Sequence, residues 1–266
     1  MSSQKTLALT LRALDFSETS QIVTVFTRDF GRMSLLAKGS RRKRRGIQSG
    51  IDVFQTIEIV YIEKHGALSL LTEYALREDF AGLRRRLDCG YAAFFVAELL
   101  VKMTEEHDPA PEVFDLACET LDLLCRTDRP TVVLHAFEVK LLGLIGLVPR
   151  FDGCAQCGGP LPPPPRLRRT DATADGSGEV AFAPGSGGAL CPSCAPSTAD
   201  RLTVSRGALA MLARLASTPS NRVERLRISG TIAQDIRKVL ARVWLDILGR
   251  EPEMVKYLDW TPRSGS

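Results

Sequence analysis

Cys154-Ala155-Gln156-Cys157 and Cys191-Pro192-Ser193-Cys194 form two CxxC pairs, separated by residues 158–190. A CxxC turn sets two thiolates on one side of a tight loop. Two such turns supply the four sulfurs of a tetrahedral S4 shell. Gly153, Gly158 and Gly159 flank the first pair, and Pro192 sits inside the second. These residue types suit a tight backbone whose amides face sulfur. The spacing predicts one structural Zn2+ held by Cys154, Cys157, Cys191 and Cys194. Two redox dithiols or a pair of disulfides are the competing reading, which two CxxC turns with flanking turn residues do not favour. The shell offers no His, no carboxylate and no position open to water, so the ion would hold the fold rather than perform chemistry.

A second cluster carries charge. Lys38, Arg41, Arg42, Lys43, Arg44 and Arg45 crowd one short run between two predicted strands. The formal net charge is only +4, but it is unevenly spread. Basic residues outnumber acidic ones in 1–80 and 198–266, and the balance reverses between them. Without the run, residues 1–80 would be net acidic. A concentrated basic loop suits a phosphate backbone, and arginine adds bidentate phosphate contacts that lysine cannot make. A solvated loop with no single partner is the bland alternative. Arg222, Arg225 and Arg227 form a further basic group, followed by Arg237, Lys238 and Arg242. Lys238 and Arg242 are four apart and share a helical face. They would extend a DNA path, or serve only as a solvated face. Phe16, Phe26, Phe30, Phe54 and Tyr61 are the aromatics of this first region. Most fall at alternating apolar positions, which favours core packing, and no stacking platform follows from sequence alone.

No catalytic constellation stands out. His65, His107 and His135 have no nucleophile motif or HExxH spacing beside them. The glycines of 185–188 lack the Lys-Ser/Thr of a phosphate loop. Glu105, Glu106 and Asp108 sit together near a predicted helix end, where solvation suffices. The chain is expected not to be an enzyme.

The elements that must position these clusters follow from periodicity. Residues 6–13, 21–27, 32–38, 54–62 and 68–75 read as five short strands, with turns at Asp29-Phe30-Gly31 and His65-Gly66. A five-stranded OB-fold barrel is the economical closure. Residues 87–104, 111–125 and 131–145 place apolar side chains at helical steps and could form a small bundle. Helices at 205–216, with Ser205 as N-cap, and at 232–248 follow the cysteines. The Pro/Gly-rich stretch 160–188 cannot bury much apolar surface, so a partly disordered loop is expected. The predicted fold class is α+β multidomain. It has an N-terminal OB-fold β-barrel at 1–80, a helical domain in two parts at 81–149 and 199–266, and an inserted four-cysteine zinc finger at 150–198. At 266 residues and 44% hydrophobic, the composition is that of an ordinary globular protein. No secretory leader and no membrane span is read, so no membrane partner is expected. Cys89, Cys118 and Cys125 read as buried free thiols, and such cysteine usage fits a reducing cytoplasm.

The order of these parts resembles the bacterial recombination mediator family RecO. Residues 15–27 (DFSETSQIVTVFT) look like that family's opening strand pair. Gly31-Arg32 and the stretch from Ala37 to Arg42 resemble its third strand and basic loop, and residues 136–146 (AFEVKLLGLIG) its helix before the cysteines. The likeness spans roughly residues 5–260. It implies binding of single- and double-stranded DNA and annealing of complementary strands. It also implies help in loading RecA onto DNA coated with single-strand-binding protein (SSB), together with RecR and without nucleotide hydrolysis. The implied location is the bacterial cytoplasm, at the nucleoid. Some members hold the acidic SSB tail in a pocket of the helical domain, with Arg just before a Phe-Glu pair. Here His135-Ala136 precedes Phe137-Glu138. Over 87–146 the only basic residues are Lys102, Arg126, Arg129 and Lys140, against many acids, so that contact is expected to be weaker, displaced, or dependent on a patch near Lys140. An RNA-binding OB-fold and zinc accessory factor is the main alternative. A zinc-dependent nucleic-acid enzyme and a protein-binding scaffold are further rivals.

Overall fold

The computed structural model describes residues 3–40, 50–64, 68–163 and 178–260. The chain divides into two compact units, Met1–Arg126 and Thr127–Ser266.

In the first unit, β1 (Ser3–Asp15), β2 (Gln21–Thr27), β3 (Gly31–Ala37), β4 (Thr56–Ile62) and β5 (Ser69–Glu78) close a barrel in the order β1-β2-β3-β5-β4. All pairs are antiparallel except β3 with β5, which closes the barrel through Leu35↔Ser69 to Ala37↔Leu71. Period-2 alternation explains the interior. Val23, Val25, Met33, Leu35, Ile57, Ile59 and Tyr61 all point inward and pack into one core. A bulge at Leu11 resets the β1 register between Thr10 and Arg12. Gly31 ends the β2–β3 turn at φ +70°, and a Cβ there would stand 2.3 Å from the Asp108 carbonyl oxygen, so only glycine fits.

A 3₁₀ turn (Ala81–Arg84) leads to α1 (Leu87–Met103) and α2 (Pro111–Arg126). The second helix covers one end of the barrel's outer face. Phe26 is fully buried there against Phe114, ring centroids 6.1 Å apart. Burying such a ring contributes about 1.5–3 kcal/mol. Arg28 makes a bidentate pair with Asp115, and Arg32 bonds Glu106.

In the second unit, α3 (Pro130–Leu144), α4 (Arg206–Ser217), α5 (Ser220–Val223) and α6 (Gly230–Leu248) pack together. A small sheet of β6 (Glu179–Ala183), β7 (Gly188–Leu190) and β8 (Leu202–Ser205) has the order β7-β6-β8. Ser205 caps α4 as expected, accepting from the Ala208 amide. Trp244, Phe137 and Phe182 are among its largest buried side chains.

Three expectations change. The third helix of the expected bundle belongs, as α3, with α4 and α6, while α1 and α2 share the first unit. Part of the expected loop 160–188 is ordered strand, because Val180 and Phe182 face inward from β6. Residues 164–177 lie outside the described residues. Cys89 is buried, whereas Cys118 and Cys125 are half-buried.

Candidate metal centre and nucleic-acid interface

The four cysteines come together. Their sulfurs all lie within 4.8 Å of one another, and Cys157 and Cys191 Sγ are 3.7 Å apart. Each pair sits on a turn that its own backbone closes. The Cys154 amide donates to Gly159 O and the Gly158 amide to Cys154 O, with Gly158 at φ +75°. The amides of Cys194 and Ala195 both donate to Cys191 O. The two turns are tied to each other where Ala155 N–H reaches Ala189 O and Arg150 exchanges bonds with Gly187 and Ala189. A Cβ on Gly188 would lie 2.4 Å from Arg150 O, so this close approach requires glycine.

Amides also face the sulfurs. Burial opposes ionisation of Cys154, but the N–H groups of Cys157, Cys191 and Gln156 outweigh it and bring that thiol down to about 6. The Cys194 amide lowers Cys191 in the same way. Cys194 is pushed up to about 12, first because its thiol proton bonds Cys191. Four sulfurs this close cannot all ionise without a cation among them, and with one they can. The group can hold a metal ion. Elsewhere burial first, with the nearby carboxylates Asp88 and Asp115 adding to it, pushes the Cys89 and Cys118 thiols up to about 11.

The basic run is bracketed rather than seen. Lys38 is exposed in the turn after β3. Arg41, Arg42, Lys43, Arg44 and Arg45 lie outside the described residues. The two stems of the run meet at one buried side chain, Gln21. Its Oε1 accepts from Ser40 Oγ (3.0 Å) and from the Ile51 amide (2.9 Å), and its Nε2 donates to Ile51 O (3.2 Å). Gln21 thus fastens residue 40 to residue 51 at the end of the barrel where β1 turns into β2. No spacing signal marks this residue in the sequence.

The other candidates separate. Phe26, Phe54 and Tyr61 are buried, and Phe30 packs edge-on against Tyr61, as core packing predicts. Phe16 is the exception, 62% exposed. On α6, Lys238 pairs with Asp235, Arg242 with Asp200 and Asp246, and Arg237 with Glu251. These charges are largely matched by neighbours, while Arg222, Arg225 and Arg227 are not buried. His65 lies outside the described residues, and the His107 amide donates to Arg32 O. His135 is buried, with Nδ1 3.3 Å from Glu138 Oε2 and its ring stacked on Trp260. Glu138 is fully buried and accepts from Trp244 Nε1 at 2.8 Å. His135 and Ala136, the two residues before Phe137-Glu138, therefore face the interior. Lys140 reaches Ser220 Oγ. No helix among the described residues is long and apolar enough to cross a membrane.

Comparison with known proteins agrees with this architecture. Residues 1–80 match the family model "Recombination protein O N terminal", and residues 84–253 match "Recombination protein O C terminal". The DNA repair protein RecO of Rhodopirellula baltica is 32% identical over 275 residues, covering 95% of this chain and 97% of its own length. The protein of that name from Anaeromyxobacter dehalogenans is 31% identical over 263 residues, covering 94% and 98%. That from Myxococcus xanthus is 29% identical over 238 residues, covering 88% and 91%. With both family models matched in order and full-length relatives above 30% identity, the chain belongs to the RecO family of DNA repair and recombination proteins.

Proposed function

We propose that this chain is a non-enzymatic DNA-binding mediator of recombinational repair. It binds single- and double-stranded DNA, anneals complementary strands, and assists RecA loading on SSB-coated DNA with RecR. The observation that carries the DNA-binding part is the Gln21 clamp, which gathers both stems of the basic run at one barrel end. Six cations in one short run screen the repulsion between two phosphate backbones and release condensed counterions. Neither effect needs nucleotide hydrolysis. Lys38, Arg41, Arg42, Lys43, Arg44 and Arg45 carry the phosphate contacts in this reading. The barrel order β1-β2-β3-β5-β4, with its one parallel closure, supports assignment as an OB-fold, a fold whose ligands include oligonucleotides.

The metal is one structural Zn2+. Tetrahedral zinc with Zn–S near 2.3 Å requires sulfurs about 3.8 Å apart, and Cys157 and Cys191 stand at 3.7 Å. The all-thiolate donor set selects a soft ion and leaves no open position, so Cys154, Cys157, Cys191 and Cys194 hold the second unit together rather than act on DNA. A nucleic-acid-binding domain at 1–80, helical parts at 81–149 and 199–266, and a zinc finger at 150–198 remain our division of labour. The protein works at the nucleoid in the bacterial cytoplasm.

The test is annealing of complementary DNA strands already coated with SSB, without ATP, with and without this protein. Acceleration is expected. Binding to bare DNA with no acceleration would reduce the chain to a binding module, and preference for a matched RNA oligomer would move it to the accessory-factor reading.

A further inference from the structure

A surface helix normally turns an apolar face inward and a polar face to water. α2 obeys this rule. It buries Phe114, Leu121 and Leu124, and its exposed positions include Glu112, Glu119, Asp122 and Arg126. α1, in the same unit, breaks it. Asp88, Glu98 and Lys102 are the only charged residues among its 17. Phe95, Val96, Leu99 and Leu100 are buried on one side. The other side carries Leu87, Phe94 and Val101, which are 71%, 43% and 42% exposed. Tyr91 lies half-buried among them. A helix that is apolar on both sides is one that something covers on both sides.

The spacing of the open side says what kind of element covers it. Positions 87, 91, 94, 98 and 101 alternate steps of four and three, which is the seam of a helix that packs along another helix. The seam runs about 21 Å at 1.5 Å per residue. Its one acid, Glu98, is already paired with Lys102. Beside the N-terminal half of the seam, a cavity of about 290 Å³ opens between Phe54, Phe80, Leu83, Leu87 and Phe94.

The charges beyond each end say which helix it is. Arg84, Arg85 and Arg86 precede α1, and Glu105, Glu106 and Asp108 follow it. This order is the reverse of what the helix dipole favours, so it does not serve α1 itself. Some of these groups are matched locally: Arg84 by Asp52 and Asp79, Arg86 by Asp88, and Glu106 by Arg32. Arg85 and Glu105 are exposed and have no ion pair among the described residues. An apolar seam with cations before it and anions after it is complementary to itself turned end for end. Phe94 lies midway between Leu87 and Val101. A two-fold axis there sets Leu87 against the copy's Val101 and lays the basic end of each helix over the acidic end of the other.

We infer that the exposed face of α1 is a self-association surface, on which two copies of this chain pair antiparallel through Leu87, Tyr91, Phe94 and Val101, with Arg85 of each meeting Glu105 of the other. The contact uses the same patch on both copies, so it closes at two. One helix pair is a small interface, and association is expected roughly in the micromolar range. The inference does not depend on what the basic run binds.

The test is sedimentation velocity of the full chain without nucleic acid, over a concentration series that crosses the micromolar range. Wild type is expected to pass from one copy to two. Val101→Glu sets a carboxylate into the seam and should hold the chain at one copy. Val101 is partly exposed, so the melting temperature of the single copy should be unaltered. Arg85→Glu should weaken association roughly tenfold, because symmetry reverses two rim contacts at once. Arg85→Glu combined with Glu105→Arg in the same chain should restore association, a recovery that a folding defect cannot imitate. A wild type that stays single at every concentration overturns the surface. So does a dimer indifferent to Val101→Glu, or a double variant as weak as Arg85→Glu alone.

Discussion

Glu138 on α3 and Trp244 on α6 form a buried polar contact in the second unit, with both residues at zero exposure. Trp244→Phe keeps an aromatic ring in place but removes the N–H that Glu138 Oε1 accepts. Leaving a buried carboxyl oxygen short of a donor costs about 1–3 kcal/mol. The smaller ring leaves unfilled volume worth ~1 kcal/mol at the usual cavity coefficient. The sum, about 2–4 kcal/mol, should lower the melting temperature of this unit by roughly 6–12 °C. The assay is thermal and urea unfolding of wild type, Trp244→Phe, Glu138→Leu and the double variant. With Leu at 138 no carboxyl is orphaned, and Phe removes the Trp244 N–H that has lost its acceptor, so the tryptophan change should then cost at most the cavity part. A coupling of about 1–3 kcal/mol or more between the two sites is therefore expected. If Trp244→Phe costs the same in both backgrounds, the bond contributes nothing and packing alone holds these helices together.

Replacing Cys154 and Cys191 together by Ser should lower the melting temperature far more than it lowers DNA affinity per folded molecule, and wild-type stability in a metal-free double variant would exclude a structural ion. Neutralising Arg41, Arg42, Arg44 and Arg45 should weaken DNA binding and flatten its salt dependence by roughly 0.9 for each duplex phosphate no longer neutralised; an unchanged slope removes the run from the DNA site. Burial resists ionisation of Asp235, but Lys238 and the Ser205 amide outweigh it and hold its carboxyl below the usual range. Its folded-state pKa is depressed, so its stabilisation is present above the unfolded value near ~3.9 and fades as pH falls through the folded one. Asp235→Asn should thus cost about 1–2 kcal/mol at neutral pH and progressively less in acid, as read from denaturation at a series of pH values.

Much of this molecule was legible in its sequence because its signals are local. Alternation at Val23, Val25, Met33 and Leu35 announced the strands that bear them, and Ser205 announced the start of α4. The cysteine spacing announced a four-sulfur cluster. What escaped depends on partners distant in the chain. Glu138 meets Trp244 across 106 residues, and Gln21 meets Ile51 across 30, with nothing in either neighbourhood to mark the pairing. The three strands beside the cysteines are three to five residues long and gain their identity from pairing, not from composition. Phe16 was indistinguishable from the core aromatics until its exposure was known, because a ring at a strand end reads the same whether it faces in or out.

Gln21 has a consequence for how such a protein can change. One amide side chain fixes where the chain leaves the barrel at Ser40 and where it re-enters at Ile51. Residues between those points can be added, removed or recharged without moving β3 or β4 out of register. If the run between them carries the proposed DNA contact, the strength of that contact is uncoupled from folding and can be tuned by insertion or substitution at little cost to stability. A single glutamine divides the barrel into a part that must be kept and a part free to drift.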